Sequence, residues 1–168
     1  MARAAAVCVM LLLCACRSQP VSGTSASPAA PPSPAPQTSA GDFNRYLANG
    51  DYAGAIAFAE KSSLPHSERD GIVGNLILDG LVDPAASTRP PYSLSEGFAR
   101  LERAAAAGRV QSAADLRAKF TVGINYEGKN ILMAPVAALS QCWAQVEAGE
   151  QSAASCIALR QRIHVPEN

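Results

Sequence analysis

A repeated helix–glycine–helix unit is the feature that most restricts how this chain can fold. Gly108 and Gly149 lie 41 residues apart, and each ends an alanine-containing stretch with helical spacing. Shortly after each glycine comes the same block, Gln-Ser-Ala-Ala, and the two blocks lie 40 residues apart. Glycine at the end of a helix tolerates the positive φ that reverses the chain. Repeats of this length are typical of stacked helical hairpins.

Apolar residues recur at helical spacing on both sides of these glycines, and no stretch alternates as a strand would. Ser93 and Glu96 form a capping-box pattern where the first unit begins. We therefore predict an all-α fold in which antiparallel helical hairpins stack as a short α-solenoid of about six to seven helices. The core residues predicted for the two units are Leu94, Phe98, Leu101, Ala105, Ala113, Leu116, Phe120, Ile124, Val136, Leu139, Trp143, Val146, Cys156, Leu159 and Ile163.

Turn and breaker residues divide the rest of the folded region. Asn49-Gly50 ends a first helix, and Asp51 can cap the next one. Ser67 is predicted to cap a third helix, which stops before the proline-rich stretch 82–91. Residues 125–130 have turn chemistry. Pro135 suits the first turn of the helix that follows.

The amino-terminal residues are predicted to be an export signal. An arginine precedes ten apolar residues, 4–13, which is too short for a membrane span and fits a signal peptide of residues 1–15. The sequence Leu13-Cys14-Ala15-Cys16 resembles the bacterial lipobox. This resemblance implies that Cys16 carries a diacylglycerol and that cleavage precedes it. In such lipoproteins an Asp after the cysteine signals inner-membrane retention, so Arg17 at that position resembles the pattern of an outer-membrane destination. The alternative is an ordinary secretory peptide in which Cys16 has no role.

The chain after Cys16 changes composition twice. Residues 17–41 contain six Pro, six Ser and five Ala, with Arg17 as their one charge. Such a segment buries too little apolar surface to fold and is predicted to be a disordered spacer. We therefore divide the protein into a signal peptide (1–15), a lipidated cysteine with its tether (16–41) and a helical domain (42–168).

Cysteine positions predict one disulfide. Cys8 and Cys14 leave with the signal peptide and Cys16 carries lipid, so Cys142 and Cys156 remain for an oxidising compartment. Each lies seven residues from Gly149, so a hairpin at that glycine brings them to the same height. The repeat offsets assign Leu101 and Leu116 to the same two positions in the first unit. Two buried thiols are the alternative, and two cysteines without a histidine pair are a poor zinc site.

No pattern in the sequence recommends catalysis, a cofactor or nucleic-acid binding. The formal net charge is zero, and the region from Asp42 onward has 14 acidic and 12 basic residues, without a basic patch. His66 begins a charged run that reads as a polar helix start, and His164 has no visible partner. Trp143 is interpreted as a core residue rather than an interface anchor. We predict no catalytic residue, no metal site and no enzyme activity.

The repeat also resembles known families. Residues 49–56 resemble the centre of a tetratricopeptide repeat, and residues 74–163 resemble Sel1-like repeats through the run 103–108 with its terminal glycine and through Leu116. Ala138 falls at a small position of the second repeat. The pattern departs at Arg100 and Gln141, where an aromatic is expected, and at Arg117 and Ile157, where glycine is expected. The resemblance implies an α-solenoid that binds other proteins and no cofactor.

These observations predict a lipid-anchored, non-catalytic module for protein–protein interaction, acting as a scaffold or assembly factor in the periplasm. Its partners would be the membrane, through Cys16, and other envelope proteins, with no nucleic acid and no evident small-molecule substrate. A second possibility is a dedicated inhibitor or immunity lipoprotein that neutralises a toxin or a cell-wall hydrolase. A cell-wall enzyme is the third.

Overall fold

The computed structural model of the protein describes residues 40–126 and 130–163. These residues form seven α-helices and one short two-stranded sheet, so the predicted all-α, repeat-like fold is confirmed. The signal peptide, Cys16, the tether up to residue 39 and His164 lie outside the described residues, and the predictions made for them stay predictions. The elements are α1 (Ala40–Ala48), α2 (Tyr52–Glu60), α3 (His66–Val82), α4 (Leu94–Ala106), α5 (Val110–Val122), β1 (Ile124–Tyr126), β2 (Asn130–Met133), α6 (Ala137–Glu147) and α7 (Ala153–Ile163).

The turns that the sequence assigns to glycines are formed as predicted. Gly50, Gly108 and Gly149 have φ angles of 64°, 90° and 76°, a region that glycine enters without steric cost. At both repeat glycines, the backbone N–H of the next residue donates to the carbonyl five positions earlier, at 3.0 and 2.8 Å. The first helix of each copy therefore ends with the same hydrogen-bond pattern.

Two apolar clusters fill the space between the helices. The smaller one joins α1, α2 and α3, and the larger one extends from α3 to α7. Leu101 and Leu116, the predicted facing pair, are both fully buried in the larger cluster. The buried members of the smaller cluster are Ala55, Ile56, Ala59, Val73, Leu76 and Ile77.

The last helix closes the larger cluster by returning to α4. The Arg160 guanidinium donates to both carboxylate oxygens of Glu102, at 2.6 and 2.8 Å, and lies 6.0 Å from the ring centroid of Phe98. Glu102 is only 3% exposed. Because a buried charge without its partner is costly, this ion pair holds α7, the last helix of the second copy, against α4, the first helix of the first copy.

A short β-hairpin between α5 and α6 corrects the prediction that the domain has no strand. Gly123, with φ of 75°, ends α5, so Ile124 begins β1 instead of continuing the helix. Ile124 pairs with Met133 of β2, and both are buried in the larger cluster. A Cβ at Gly123 would lie 2.5 Å from the Met133 carbonyl oxygen. Ile124, whose spacing from Phe120 suggested a longer helix, therefore reaches the core from a strand.

The ends of the predicted turn 125–130 also belong to these strands, while residues 127–129 lie outside the described part. Two helix starts differ from the prediction as well. The helix α3 begins at His66, directly after Pro65, and has no side-chain cap, so Ser67 is not its cap. The helix α6 begins at Ala137, two residues after Pro135.

Two predicted caps are present. The carboxylate of Asp51 accepts a hydrogen bond from the backbone N–H of Gly54 at 2.8 Å, and the pKa of Asp51 is lowered by its hydrogen bond with Thr88 and then by this N–H. The Ser93 hydroxyl accepts from the backbone N–H of Glu96 at 3.2 Å. In a full capping box the Glu96 carboxylate would accept from the Ser93 backbone N–H. Here it pairs with the Arg100 guanidinium at 3.0 Å instead.

Candidate functional site

The first three helices form an open apolar groove, which we call the amino-terminal groove. Phe43 and Phe58 line it with ring centroids 5.8 Å apart, and Leu64 at its rim is 37% exposed. Its cavity volume is about 190 Å³, and its full lining is Ala40, Phe43, Phe58, Ala59, Ser62, Leu64 and Ile72.

The groove has no polar group in need of a partner. Ser62 is the one residue in its lining with a side-chain hydrogen-bonding group, and its hydroxyl already donates to the Ala59 carbonyl oxygen at 2.6 Å. An occupant therefore meets apolar surface without leaving a buried hydrogen-bonding group unpaired. Burial of apolar surface is the term that stabilises binding at such a site.

One border of the groove is the short helix α1. None of its nine residues is fully buried, whereas α2 turns Ala55, Ile56 and Ala59 into the core toward α3. Phe58 is left between α1 and the surface, where it also contacts Tyr46 with centroids 6.3 Å apart. In helical repeat folds a terminal layer normally has a polar outer face. This aromatic groove, which is open among the described residues, is therefore a candidate interface.

A polar seam runs between α3 and α5, and sequence reasoning missed it. The Asn75 amide donates to Asp115 at 2.7 Å, and the Lys119 ammonium pairs with Asp79 at 2.5 Å. These partners are separated by 40 residues, the same offset that relates the repeated blocks. Each helix carries two polar residues four positions apart, and the two pairs are related by the repeat offset. This pattern in the sequence could have predicted the seam. A groove of about 400 Å³ follows it.

A second hollow lies between the turns at Gly108 and Gly149, and we call it the inter-turn pocket. It has a volume of about 260 Å³ and includes Arg109, Val110 and Gln151 in its lining. The Arg109 guanidinium donates to the Ser112 hydroxyl at 2.9 Å. Both repeat turns thus reach the same small surface.

An ionic cluster joins α2, α3 and α4. Arg100 contacts Glu60 at 2.8 Å, Glu96 at 3.0 Å and Asp70 at 3.6 Å. Arg103 pairs with Asp70 at 3.0 Å, which raises the pKa of the guanidinium. Each carboxylate of the cluster is therefore held by at least one guanidinium, and the arrangement locks three helices together.

A tyrosine completes this cluster. The Tyr92 hydroxyl donates to Glu60 at 3.2 Å, and its ring lies 5.4 Å from the Arg100 guanidinium carbon. Burial, followed by the Glu60 charge, raises the pKa of Tyr92. The phenol is thus kept neutral as a donor, which suits a structural role.

The structure pairs the predicted cysteines. Cys142 and Cys156 form a disulfide with S–S 2.02 Å and Cα atoms 5.6 Å apart, within the range that a disulfide spans. Cys156 is fully buried and Cys142 is 7% exposed. The Gln151 amide lies 2.8 Å from the Cys142 sulfur, so the bond is covered by the turn that it closes.

The other residues weighed from the sequence do not assemble into a reactive site. His66 is exposed and contacts Arg69 through Nδ1. Trp143 is fully buried, as predicted, and its indole N–H has no hydrogen-bond partner among the described residues. Within residues 40–126 and 130–163, no group of three or more His, Cys, Asp or Glu could hold a metal ion. No described helix is both long and apolar enough to cross a membrane.

Comparison with known proteins gave no assignment. No family model, curated protein or solved structure matches this chain.

Proposed function

We propose that this protein is a lipid-anchored scaffold of the bacterial cell envelope, which binds another envelope protein through the amino-terminal groove. The observation that carries this proposal is the aromatic groove formed by α1, α2 and α3, which is open among the described residues. An apolar side chain of a partner would bury its surface against this lining. A helix or an extended segment with one large apolar side chain fits the chemistry of its lining.

The lipobox-like sequence around Cys16 supports the proposed location. Several acyl chains on that residue would hold the protein in the outer membrane, facing the periplasm. The proline-rich tether would then allow the domain to reach partners at a distance, at up to about 3.1 Å per residue. The pairing of Cys142 with Cys156 suits this oxidising compartment.

The Sel1-like pattern supports a binding role rather than catalysis. Repeats of this kind are proposed here to serve as a rigid frame, with the hairpins at Gly108 and Gly149 behind the binding end. The ionic cluster around Arg100 would keep α2 and α3 in position when a partner binds in the groove. No cofactor is needed for this role.

Site-specific photo-crosslinking in intact cells tests the groove. A photoreactive amino acid at Leu64, which lines the groove, is expected to capture an envelope protein. The matched control is Leu47, which is 38% exposed and does not line the groove, against 37% for Leu64. With the photoreactive amino acid moved to Phe43, which also lines the groove, Leu64→Glu is expected to abolish the crosslinked complex. The domain should stay folded, because the Leu64 side chain is partly exposed.

Each outcome of this experiment has a consequence. Equal labelling from Leu47 and Leu64, or no protein product from either, contradicts the proposal. Capture of one small soluble toxin or hydrolase favours the inhibitor reading instead. In a parallel measurement, mass spectrometry of the amino-terminal peptide should find acyl groups on Cys16, and Cys16→Ser should release the protein from the membrane fraction.

A further inference from the structure

Two cationic residues border the amino-terminal groove where α2 turns into α3, and we call them the cationic rim: Lys61 and Arg69. Lys61 lies three residues after Phe58, and its backbone still has right-handed helical angles. Arg69 lies three residues before Ile72 in α3. Residues three apart are neighbours on one side of a helix, and both Phe58 and Ile72 line the groove. Each cation therefore lies beside an apolar side chain of the groove.

A hydrogen bond holds one member of the rim at the wall of the groove. The Arg69 guanidinium donates to the backbone carbonyl oxygen of Ser62 at 3.4 Å, and Ser62 belongs to the groove lining. Another nitrogen of the same guanidinium contacts the ring of His66. Neither contact supplies a carboxylate, so the positive charge of Arg69 is available to an anionic group.

The carboxylates next to the rim in sequence are engaged elsewhere. Glu60 precedes Lys61, and Asp70 follows Arg69. Both carboxylates belong to the ionic cluster, where they lie 2.8 and 3.6 Å from the Arg100 guanidinium. The ion pairs of the described residues include neither member of the rim.

Two further carboxylates near the groove leave its border positive. Asp42 on α1 pairs with Arg45 of its own helix at 3.1 Å. Glu68 lies seven residues before Asn75 and eleven before Asp79, so the three share the side of α3 that forms the polar seam with α5. Glu68 is also four residues before a groove-lining isoleucine. Even when it is counted as part of the border, two cations face one carboxylate.

A negatively charged occupant of the groove would match both its lining and its border. We propose that the partner bound in the amino-terminal groove is a protein segment with a large apolar side chain flanked by Asp or Glu. The apolar side chain packs on Phe43 and Phe58, and the carboxylates lie against Lys61 and Arg69. This inference rests on the proposed function, because it names the chemistry of the partner that the scaffold binds.

The lining and the rim contribute differently to such a complex. Burial of the apolar side chain supplies most of the affinity. An exposed ion pair changes an affinity by about fivefold or less. Charges at the border of an interface act mainly on the choice of partner and on the rate of association. The cationic rim therefore selects among segments that carry the same apolar side chain.

An anionic membrane surface shares part of this chemistry, because lipid headgroups attract Lys and Arg. The shape of the site favours a protein segment. The rings of Phe43 and Phe58 line a hollow of about 190 Å³ rather than a protruding surface. A side chain fills such a hollow, whereas the flat surface of a bilayer covers it without entering.

Fluorescence anisotropy with three labelled peptides tests the inference on the processed chain, with Cys16→Ser to prevent acylation. The peptides share a central Leu-Phe pair and differ only in the flanking residues, which are Glu, Gln or Lys. At low salt the Glu peptide is expected to bind about three- to tenfold more tightly than the Gln peptide, and the Lys peptide most weakly. Salt at about 1 M should reduce these differences, because it screens exposed charges.

Variants assign the preference to the rim. Lys61→Gln with Arg69→Gln should remove the difference between the Glu and Gln peptides and keep the binding of the Gln peptide. Lys61→Gln alone should remove part of it. Leu64→Glu should weaken all three peptides. Arg162→Gln, which changes an exposed cation on α7, is the control and should keep the wild-type order. Thermal unfolding of each variant checks that the fold is kept.

No binding by any peptide, equal binding of all three, or a preference that survives the double variant overturns the proposal. So does tighter binding to phosphatidylglycerol vesicles than to the Glu peptide. The outcomes separate from those for the scaffold. An envelope protein captured at Leu64 through a segment without carboxylates overturns the charge preference and keeps the scaffold. Charge-selective peptide binding with no protein captured in cells contradicts the scaffold and keeps the charge preference.

Discussion

The two repeat copies have the same turn but are stabilised in different ways. In the first copy, α4 packs on α3 and α5 packs on α6, so both helices have neighbours on either side. Leu101 and Leu116 are fully buried, and Phe98 stacks on Phe120 with centroids 4.9 Å apart. Buried apolar side chains join the two helices of this hairpin.

The second copy lies at the end of the chain and has less apolar surface to bury. Only two residues of α7, Ala153 and Cys156, are buried. The repeat offset assigns Cys142 and Cys156 to the positions of Leu101 and Leu116, and Arg160 to the position of Phe120. A disulfide and a buried ion pair thus replace an apolar pair and an aromatic stack. Where a hairpin buries few apolar side chains, covalent and ionic contacts supply the stability that packing supplies in the first copy.

The largest expected effect comes from breaking the ion pair that holds α7. Arg160→Ala leaves the carboxylate of Glu102 buried without a partner, and we expect a loss of about 3–5 kcal/mol in the free energy of unfolding. Urea denaturation measures it. Arg162→Ala is the control, since Arg162 is exposed and donates to the Ala158 carbonyl of its own helix; it should cost about 0.5 kcal/mol or less. A loss below 1 kcal/mol for Arg160→Ala would show that this contact does not hold the second copy.

The first copy should lose stability when buried apolar volume is removed. Leu116→Ala removes a fully buried side chain, and we expect a loss of about 2–5 kcal/mol. Val122→Ala on the same helix is the control, because Val122 is largely exposed; urea denaturation should place it within about 0.5 kcal/mol of wild type. If the two variants lose similar stability, the interior hairpin does not depend on its apolar pair.

The disulfide should matter slightly less than either. A closed loop of 15 residues corresponds to about 3 kcal/mol in the chain-entropy treatment. Cys142→Ala with Cys156→Ala should therefore lower the free energy of unfolding by about this amount, and reduction of the wild type should have a similar effect. Mass measurement of the exported chain without reductant should find no free thiol at either cysteine. Two free thiols per chain would contradict the pairing.

Local patterns predicted the features that depend on neighbouring residues. The glycine turns and the facing cysteines follow from spacing along one hairpin, and the structure forms both. Contacts between distant elements were not predictable in this way. Glu102 looks like a surface residue in sequence, and only the return of α7 to α4 buries it against Arg160. The strand at Ile124 was missed because its apolar residue keeps the helical spacing after Gly123 has ended the helix.

The candidate groove shows the same limit. Phe43 and Phe58 each fit the apolar face of their own helix, and this spacing does not tell whether another element covers them. In the described part of the chain both line the open groove, where α1 contributes no fully buried residue. Whether a layer is terminal depends on the number of helices and their order, which periodicity along a single helix does not encode.

The smallest effect is expected at a third turn, the one at Gly50. Side-chain hydrogen bonds stabilise this turn. The Tyr52 hydroxyl donates to Asp83 at 2.9 Å. Burial, followed by this bond, raises the pKa of Tyr52 from 10.0 to about 12. Because the pKa is raised in the folded state, the stabilisation by this hydrogen bond is complete below pH 10 and is lost as the pH rises through about 12.

The free energy of unfolding should therefore fall between these pH values, and Tyr52→Phe should make this fall smaller. Tyr46→Phe, which removes a hydroxyl from the neighbouring helix, is the control and should keep the wild-type slope. If Tyr52→Phe and the wild type lose stability in parallel above pH 10, the hydroxyl does not stabilise the turn, and this turn depends on packing as the first copy does.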